Sequence, residues 1–244
     1  MLLTIRKEAS EFRMSMGFGN TEPIPLKSLL IKLNIITVFK ELSENFSGMA
    51  IKADDFRFML INSNHSIGRQ NFSICHELYH LYVDKDFTPH HCNSGYFNKT
   101  ESHEYNADIF ASYLLMPDDG INNLIPDTEQ AKDKISIETI LKIEHYFSCS
   151  RGALLVRLKE LGLITSKTYD KFNQRIKFTA KEYGYPVDLY ESGNNGLVIG
   201  DYGTIAKNLF DGEKISEGHF ASLMHSIGID VFNNEENDNQ DRPL

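Results

Sequence analysis

The stretch Asn71-Phe72-Ser73-Ile74-Cys75-His76-Glu77-Leu78-Tyr79-His80-Leu81-Tyr82-Val83 decides how the rest of the chain reads. Phe72, His76, His80 and Val83 fall on one helical stripe, which predicts a helix over Asn71–Val83. Imidazoles spaced i and i+4 stand one turn apart on such a helix and aim at a single ion, with Glu77 beside that face. From there a carboxylate can hold a water at the metal and take its proton, while zinc lowers that water's pKa toward about 7. With 9 His in 244 residues, the pattern His-Glu-x-x-His arises by chance roughly 0.02 times. The competing reading is a buried helix whose two histidines are merely hydrogen-bonded.

A zinc enzyme needs a third protein ligand and keeps the fourth position open. The metzincin extension asks for Gly and then a ligand at the positions held here by Val83 and Asp86, so Asp86 ranks behind other candidates. In Glu104-Tyr105-Asn106-Ala107-Asp108-Ile109-Phe110-Ala111, the residues Glu104, Asp108, Ala111 and Leu115 share one helical stripe. Ala107 and Ala111 let that helix approach the His76–His80 helix closely. Glu104 is therefore the expected third ligand, and Asp108, one turn on, the acceptor for a ligand imidazole's free N–H. Glu101, His103, His90, His91 and Cys92 are local rivals, set back because a loop holds ligands less well than a packed helix.

Outward from this core, residues 2–16 read as an amphipathic helix stopped by Gly17 and Gly19, and Leu26–Leu33 as a second helix running into a strand at Ile35–Phe39. Two more strands are expected at Gly48–Lys52 and Phe56–Ile61, with Phe56, Phe58 and Leu60 on one face, together a small antiparallel sheet. A strand at Phe56–Ile61 offers either an edge for an extended peptide or plain sheet core. After a polar loop over Asp84–Thr100, a helix at Glu101–Met116 stops at Pro117. Helices follow at 135–147, 150–161 and 165–183, the last with a charged face that solvation explains. The Gly/Asn-rich text of 184–200 reads as a boundary or exposed hairpin, two short helices follow at Tyr202–Phe210 and Ser216–Ile227, and Asn233–Leu244 is an acidic tail expected to be disordered. The fold class is thus α+β, divided into a core at 1–120, a helical, helix-turn-helix-like extension at 121–165 and an accessory region at 166–244.

Composition fits a soluble globular chain, 41% hydrophobic and 24% charged. A net charge of −9 argues against a surface that grips phosphates throughout. Most of that acidity is C-terminal: residues 184–244 hold 3 basic and 11 acidic side chains, against 22 and 23 in residues 1–183. Three cysteines, Cys75, Cys92 and Cys149, are too few and too scattered for a disulfide framework, and no apolar run approaches the ~20 residues that span a bilayer. A reduced, cytoplasmic setting is the expectation, with no signal peptide and no membrane segment.

These residues resemble the ImmA/IrrE metallopeptidases, thermolysin-like (gluzincin) in active-site layout. The resemblance rests on Asn71 through His80 and on Glu104 through Pro117, which ends Leu114-Leu115-Met116-Pro117, like the family's Glu-x-x-Ala-Asn-x-Phe-Ala…Leu-Leu-Met-Pro signature. It extends to the sheet and to Phe147–Ile164, over roughly residues 1–165. Departures are Asp108 for the usual Asn, Cys75 for Ala and Tyr79 for Gly; Tyr79 either narrows the cleft or supplies a phenol to the oxyanion. The resemblance implies a zincin-type helix pair and a cytosolic, site-selective endopeptidase cleaving a helix-turn-helix repressor of the Xre type. Residue chemistry alone reaches metal-assisted hydrolysis, with zinc on His76, His80 and Glu104 and with Glu77 as general base. Tyr79, Tyr96, Tyr105, His90 and His91 all stay open as oxyanion donors, Tyr79 and Tyr105 foremost.

Two readings compete. Residues 136–161 could be a DNA-binding helix-turn-helix displaying Arg151, Arg157 and Lys159, although Ala153, Leu154, Leu155 and Val156 leave that helix without base-edge readers. Alternatively the metal site serves a partner-binding regulator whose residues 184–230 recognise a repressor or signal. Cys75, beside a ligand, raises redox control against an inert buried thiol.

Overall fold

The computed structural model describes residues 2–85, 91–92, 94–95 and 102–231. In chain order these form α1 (Leu2–Ser15), α2 (Leu26–Lys32), β1 (Ile36–Lys40), β2 (Gly48–Ala53), β3 (Phe56–Asn62), α3 (Ile67–Tyr82), β4 (His91–Cys92), α4 (Ser102–Leu115) and α5 (Asp118–Leu124). Beyond them lie α6 (Ile137–Phe147), α7 (Arg151–Glu160), α8 (Ser166–Phe172), α9 (Ile176–Glu182), β5 (Val198–Ile199), α10 (Tyr202–Asp211) and α11 (Glu217–Ser226). The fold is α+β, as the periodicities require. The Asn233–Leu244 tail, Asp86, His90, Tyr96 and Glu101 lie outside the described residues.

The sheet differs from the expected antiparallel one. Its order is β4-β2-β3-β1-β5, and β1 runs parallel to β3 from Ile36↔Phe58 to Lys40↔Asn62, while the other pairings are antiparallel. β2 and β3 pair antiparallel as expected, but the segment after β1 crosses the end of β3 and delivers β2 to its far side, leaving β1 parallel to β3. Asn62 fixes that crossing: its Oδ1 accepts from Leu42 N (3.1 Å) and its Nδ2 donates to the carbonyls of Ser43 (2.9 Å) and Phe46 (2.7 Å). β2 covers Phe56–Ile61 on one side and β1 covers Phe58–Asn62 on the other, so β3 is a central strand over Phe58–Ile61, which corrects the edge-pairing reading there. The face of β3 turned to the core is also the other one. Met59 and Ile61 are fully buried, whereas Phe56 is exposed and Phe58 and Leu60 are half-buried.

Helix α3 starts at Ile67, four residues before the expected Asn71. Gly68 is the reason its first turn looks like a break: a Cβ there would stand 2.7 Å from Ser150 N and 2.9 Å from the Cys149 carbonyl carbon. The glycine lets the α6–α7 connection cross the helix. Gln70 anchors the same turn, donating to the carbonyls of His65 (2.7 Å), Gly193 (3.0 Å) and Ser63 (3.2 Å).

Helix α4 packs along α3, and α1 along α4, with Ala9, Ala107 and Ala111 fully buried where small residues allow close approach. Arg13 is buried beneath this layer and donates to Leu114 O (2.6 Å), Gly19 O (2.7 Å) and Glu22 O, so its charge is spread over carbonyl dipoles. Helix α6 ends at Ser148 in the left-handed region (φ 51°), and Ser150 caps α7 by accepting from Ala153 N at 3.3 Å.

The expected single helix over 165–183 is broken in two, with Arg175 at φ 50° between α8 and α9. The stretch read as a boundary or exposed hairpin adds β5 to the sheet edge through Thr37↔Ile199 and Val38↔Val198. The charge and Gly/Asn patterns carried no sign of either. Helices α10 and α11 pair through Phe210 and Phe220, stacked at 5.0 Å and 13°.

Candidate metal centre

Helix α3 carries His76, Glu77 and His80 on a face that is entirely buried. The i,i+4 spacing places His76 Nε2 and His80 Nε2 3.3 Å apart. Glu104, in the first turn of α4, reaches across with Oε2 3.2 Å from His76 Nε2 and Oε1 3.2 Å from His80 Nε2. Ligand atoms at about 2.0–2.3 Å from a tetrahedral ion sit about 3.3–3.8 Å from each other. The separations here lie at the short end of those edges, with the two Glu104 contacts made by different oxygens of its carboxylate.

Each imidazole is oriented from behind. The Nδ1–H of His76 donates to Asp108 Oδ1 (2.9 Å), an oxygen that also accepts from Gly95 N (2.7 Å). That leaves Nε2 as the inward-facing nitrogen, the arrangement in which a histidine serves as a ligand. His80 Nδ1 meets Asp84 Oδ2 at 3.3 Å, and the exposed His103 shares that oxygen, also at 3.3 Å. Asp84 escaped the sequence reading, although its i,i+4 relation to His80 repeats the spacing that picked out the histidines. His103, a proposed rival ligand, supports Asp84 instead of joining the cluster.

Cys92 does join it. His76, His80, Cys92 and Glu104 each offer a ligand atom, and those atoms all lie within 4.8 Å of one another. Strand β4 brings Cys92 in by pairing with Gly48 of β2, and Ser47 N donates to Cys92 O at 2.9 Å. The rank given to Cys92 as a loop residue was too low, because strand pairing, invisible to local periodicity, holds it in place. His91 enters the sheet through its backbone in the same strand.

Glu77 lies directly against these groups, fully buried, its Oε2 3.6 Å from Cys92 Sγ and its Oε1 without a hydrogen-bond partner among the described residues. Gly48 makes the space, since a Cβ there would lie 2.8 Å from that Oε1. Burial raises the Glu77 carboxyl above its ordinary value, against the lowering pull of His76 and His80. At His76 burial acts downward, yet the ring is held well above its usual value by Asp108, Cys92 and Glu104. Two imidazoles, a thiol and a carboxylate converging on one point suit a cation.

Tyr79 and Tyr105 have separate surroundings. Tyr79 packs in the core against Phe110 (5.6 Å) and the edge of His80 (5.5 Å), with its hydroxyl bonded to Asn106, and burial pushes it up to about 12. Tyr105, next to Glu104, is half-buried against the core. Cys75 is fully buried, its thiol pushed up to about 12 by burial, the environment of an inert cysteine.

Residues 34–159 match the family described as the IrrE N-terminal-like domain, peptidase M78. The chain belongs to that family. The matched span holds His76, Glu77, His80, Cys92, Glu104 and Asp108, and the family is one of metallopeptidases, which fits a cluster able to hold a metal. No curated protein matches the chain. Among the described residues no helix is long and apolar enough to cross a membrane.

Proposed function

We propose that the chain is a cytoplasmic, zinc-dependent endopeptidase that cleaves a specific protein, a helix-turn-helix repressor of the Xre type. The observation that carries the reading is the tetrahedral spacing of His76 Nε2, His80 Nε2 and the Glu104 carboxylate beside the buried Glu77. His76, His80 and Glu104 would hold the zinc, with Asp108 and Asp84 fixing the two rings. When bound, zinc supplies Lewis acidity, bringing a water's pKa toward about 7 and polarising the scissile carbonyl. Glu77 accepts the water's proton and returns it to the leaving amine nitrogen, so the C–N bond breaks with no net change in protons. Its unpartnered Oε1 is the atom suited to that transfer. The repressor substrate rests on the family resemblance. Residues 1–120 then form the metallopeptidase core, 121–165 a helical extension and 166–244 an accessory region.

A DNA-binding regulator is the competing function, and the side chains it needs are committed elsewhere. Arg151 and Arg157 are buried, the first against Glu144 and the second against Asp118 and Glu160 (2.8 Å), leaving Lys159 exposed on that helix. Co-expression with a helix-turn-helix repressor encoded by a neighbouring gene tests the peptidase. Cleavage lost on His76→Ala or on chelation supports it, and intact repressor under all conditions counts against it.

A further inference from the structure

The feature the reaction does not use is Cys92. A hydrolytic site needs its fourth position open to water, yet the Cys92 thiol occupies the side of the cluster that Glu77 faces. Its Sγ is 3.6 Å from Glu77 Oε2 and 3.9 Å from Glu104 Oε1, and it bonds to His76. The separation from Glu104 Oε1, 3.9 Å, is close to the edge expected between a thiolate and an oxygen donor on one tetrahedral ion, about 3.3–3.8 Å. Cys92 and Glu77 are both fully buried.

We propose that Cys92 is the fourth metal ligand, so that the resting protein holds a closed His76–His80–Glu104–Cys92 site that excludes the hydrolytic water. This rests on the metal-binding reading above and adds a latent state to it. On ligation the S–H proton passes to solvent and the sulfur lone pair to the metal; on release the thiol regains a proton and the position opens. The strand that carries Cys92 is suited to release. Among the described residues, β4 pairs with β2 at Gly48↔Cys92 and Met49↔His91, so the hold on Cys92 is set by strand pairing and not by the α3–α4 helix pair that carries the other three ligands. The two other cysteines have no such role: Cys75 and Cys149 are buried, as Cys92 is, but neither belongs to the cluster.

Cobalt substitution of the full-length protein reads the coordination directly. The wild type should show an intense near-ultraviolet sulfur-to-cobalt band that disappears in Cys92→Ala, which still binds cobalt, and persists in Cys75→Ala. Acetohydroxamate, a chelating probe for an open position, should bind cobalt-loaded Cys92→Ala at least about tenfold more tightly than wild type and should abolish the wild-type band. Cobalt bound without the band, or a band unchanged in Cys92→Ala, overturns Cys92 as a ligand and leaves the His-His-Glu site standing. No cobalt bound by any of these proteins overturns both. Should Cys92→Ala fail to fold, alkylation by iodoacetamide in the wild type decides: zinc must slow labelling of Cys92 and a chelator restore it, and equal rates overturn the proposal.

Discussion

Between α3 and α4, His76, His80 and Glu104 converge with Cys92 around the buried Glu77, whereas at α6 and α7 the buried Glu144, Arg151 and Arg157 each meet an opposite charge. Glu144 is bonded by Arg151 and by the Tyr190 hydroxyl (2.7 Å), and Arg157 by Asp118 and Glu160. Both regions take ionisable groups out of water, which is costly unless they are paired. The second region offsets that cost internally and is a structural clamp. The first brings two imidazoles, a thiol and a carboxylate to one point and, among the described residues, leaves Glu77 Oε1 without a hydrogen bond. Burial of charge does not by itself mark a site; convergence of ligand atoms does.

The contrast can be tested by removing one group at a time, beginning where the effect is largest. Glu77→Gln keeps the shape of the side chain and removes the base, so repressor cleavage should fall about 10²–10⁴-fold while bound zinc, measured by mass spectrometry of metals, is retained. Arg151→Ala acts oppositely: it strands Glu144 in the interior and should cost about 3–5 kcal/mol in urea unfolding, with metal affinity unchanged in whatever fraction folds. Equal effects of both substitutions on metal content would break the division between the regions.

Asp108→Asn sharpens it. The amide no longer offers a charged acceptor to His76 Nδ1–H, and competition with a chelator should show zinc held about 10–100-fold more weakly with little change in melting temperature. The smallest effect is in pH. Burial lowers the pKa of both His65 and His145 below the ordinary 6.5. Both are thus neutral when folded, and the unfolded chain gains protons first as pH drops below 6.5. Stability present above that pH is lost progressively beneath it, visible as a melting temperature lower by a few degrees at pH 5 than at pH 7. His65→Gln, keeping a donor toward the Glu44 carbonyl now 3.0 Å away, should flatten that slope.

What could be read in the chain beforehand was whatever depends on local spacing. Two histidines at i,i+4, and Glu104 one turn before Asp108 beside small alanines, each specify a helix face, and a face is nearly a geometry. The parallel pairing of β1 with β3 was not readable, because Asn62 fixes the crossing through three loop contacts that no periodicity encodes. The first turn of α3, from Ile67, was not read as helical, and Gly68 in it is the close-approach point for Ser150, a tertiary contact that periodicity does not encode. Cys92 depends on a two-residue strand pairing, and Arg151 and Arg157 looked available to DNA because their partners come from other turns and helices. Asp84 is the instructive omission, since the i,i+4 rule applied once more from His80 reaches it.

The most direct test of a metal centre at these residues is the zinc content of purified full-length protein, set beside that of His76→Ala and Glu104→Ala. A centre built on α3 and α4 requires one zinc per wild-type chain and its loss from both variants, with their helical content unchanged. Wild-type protein that stays metal-free in excess zinc, or variants that keep the metal in full, would contradict it.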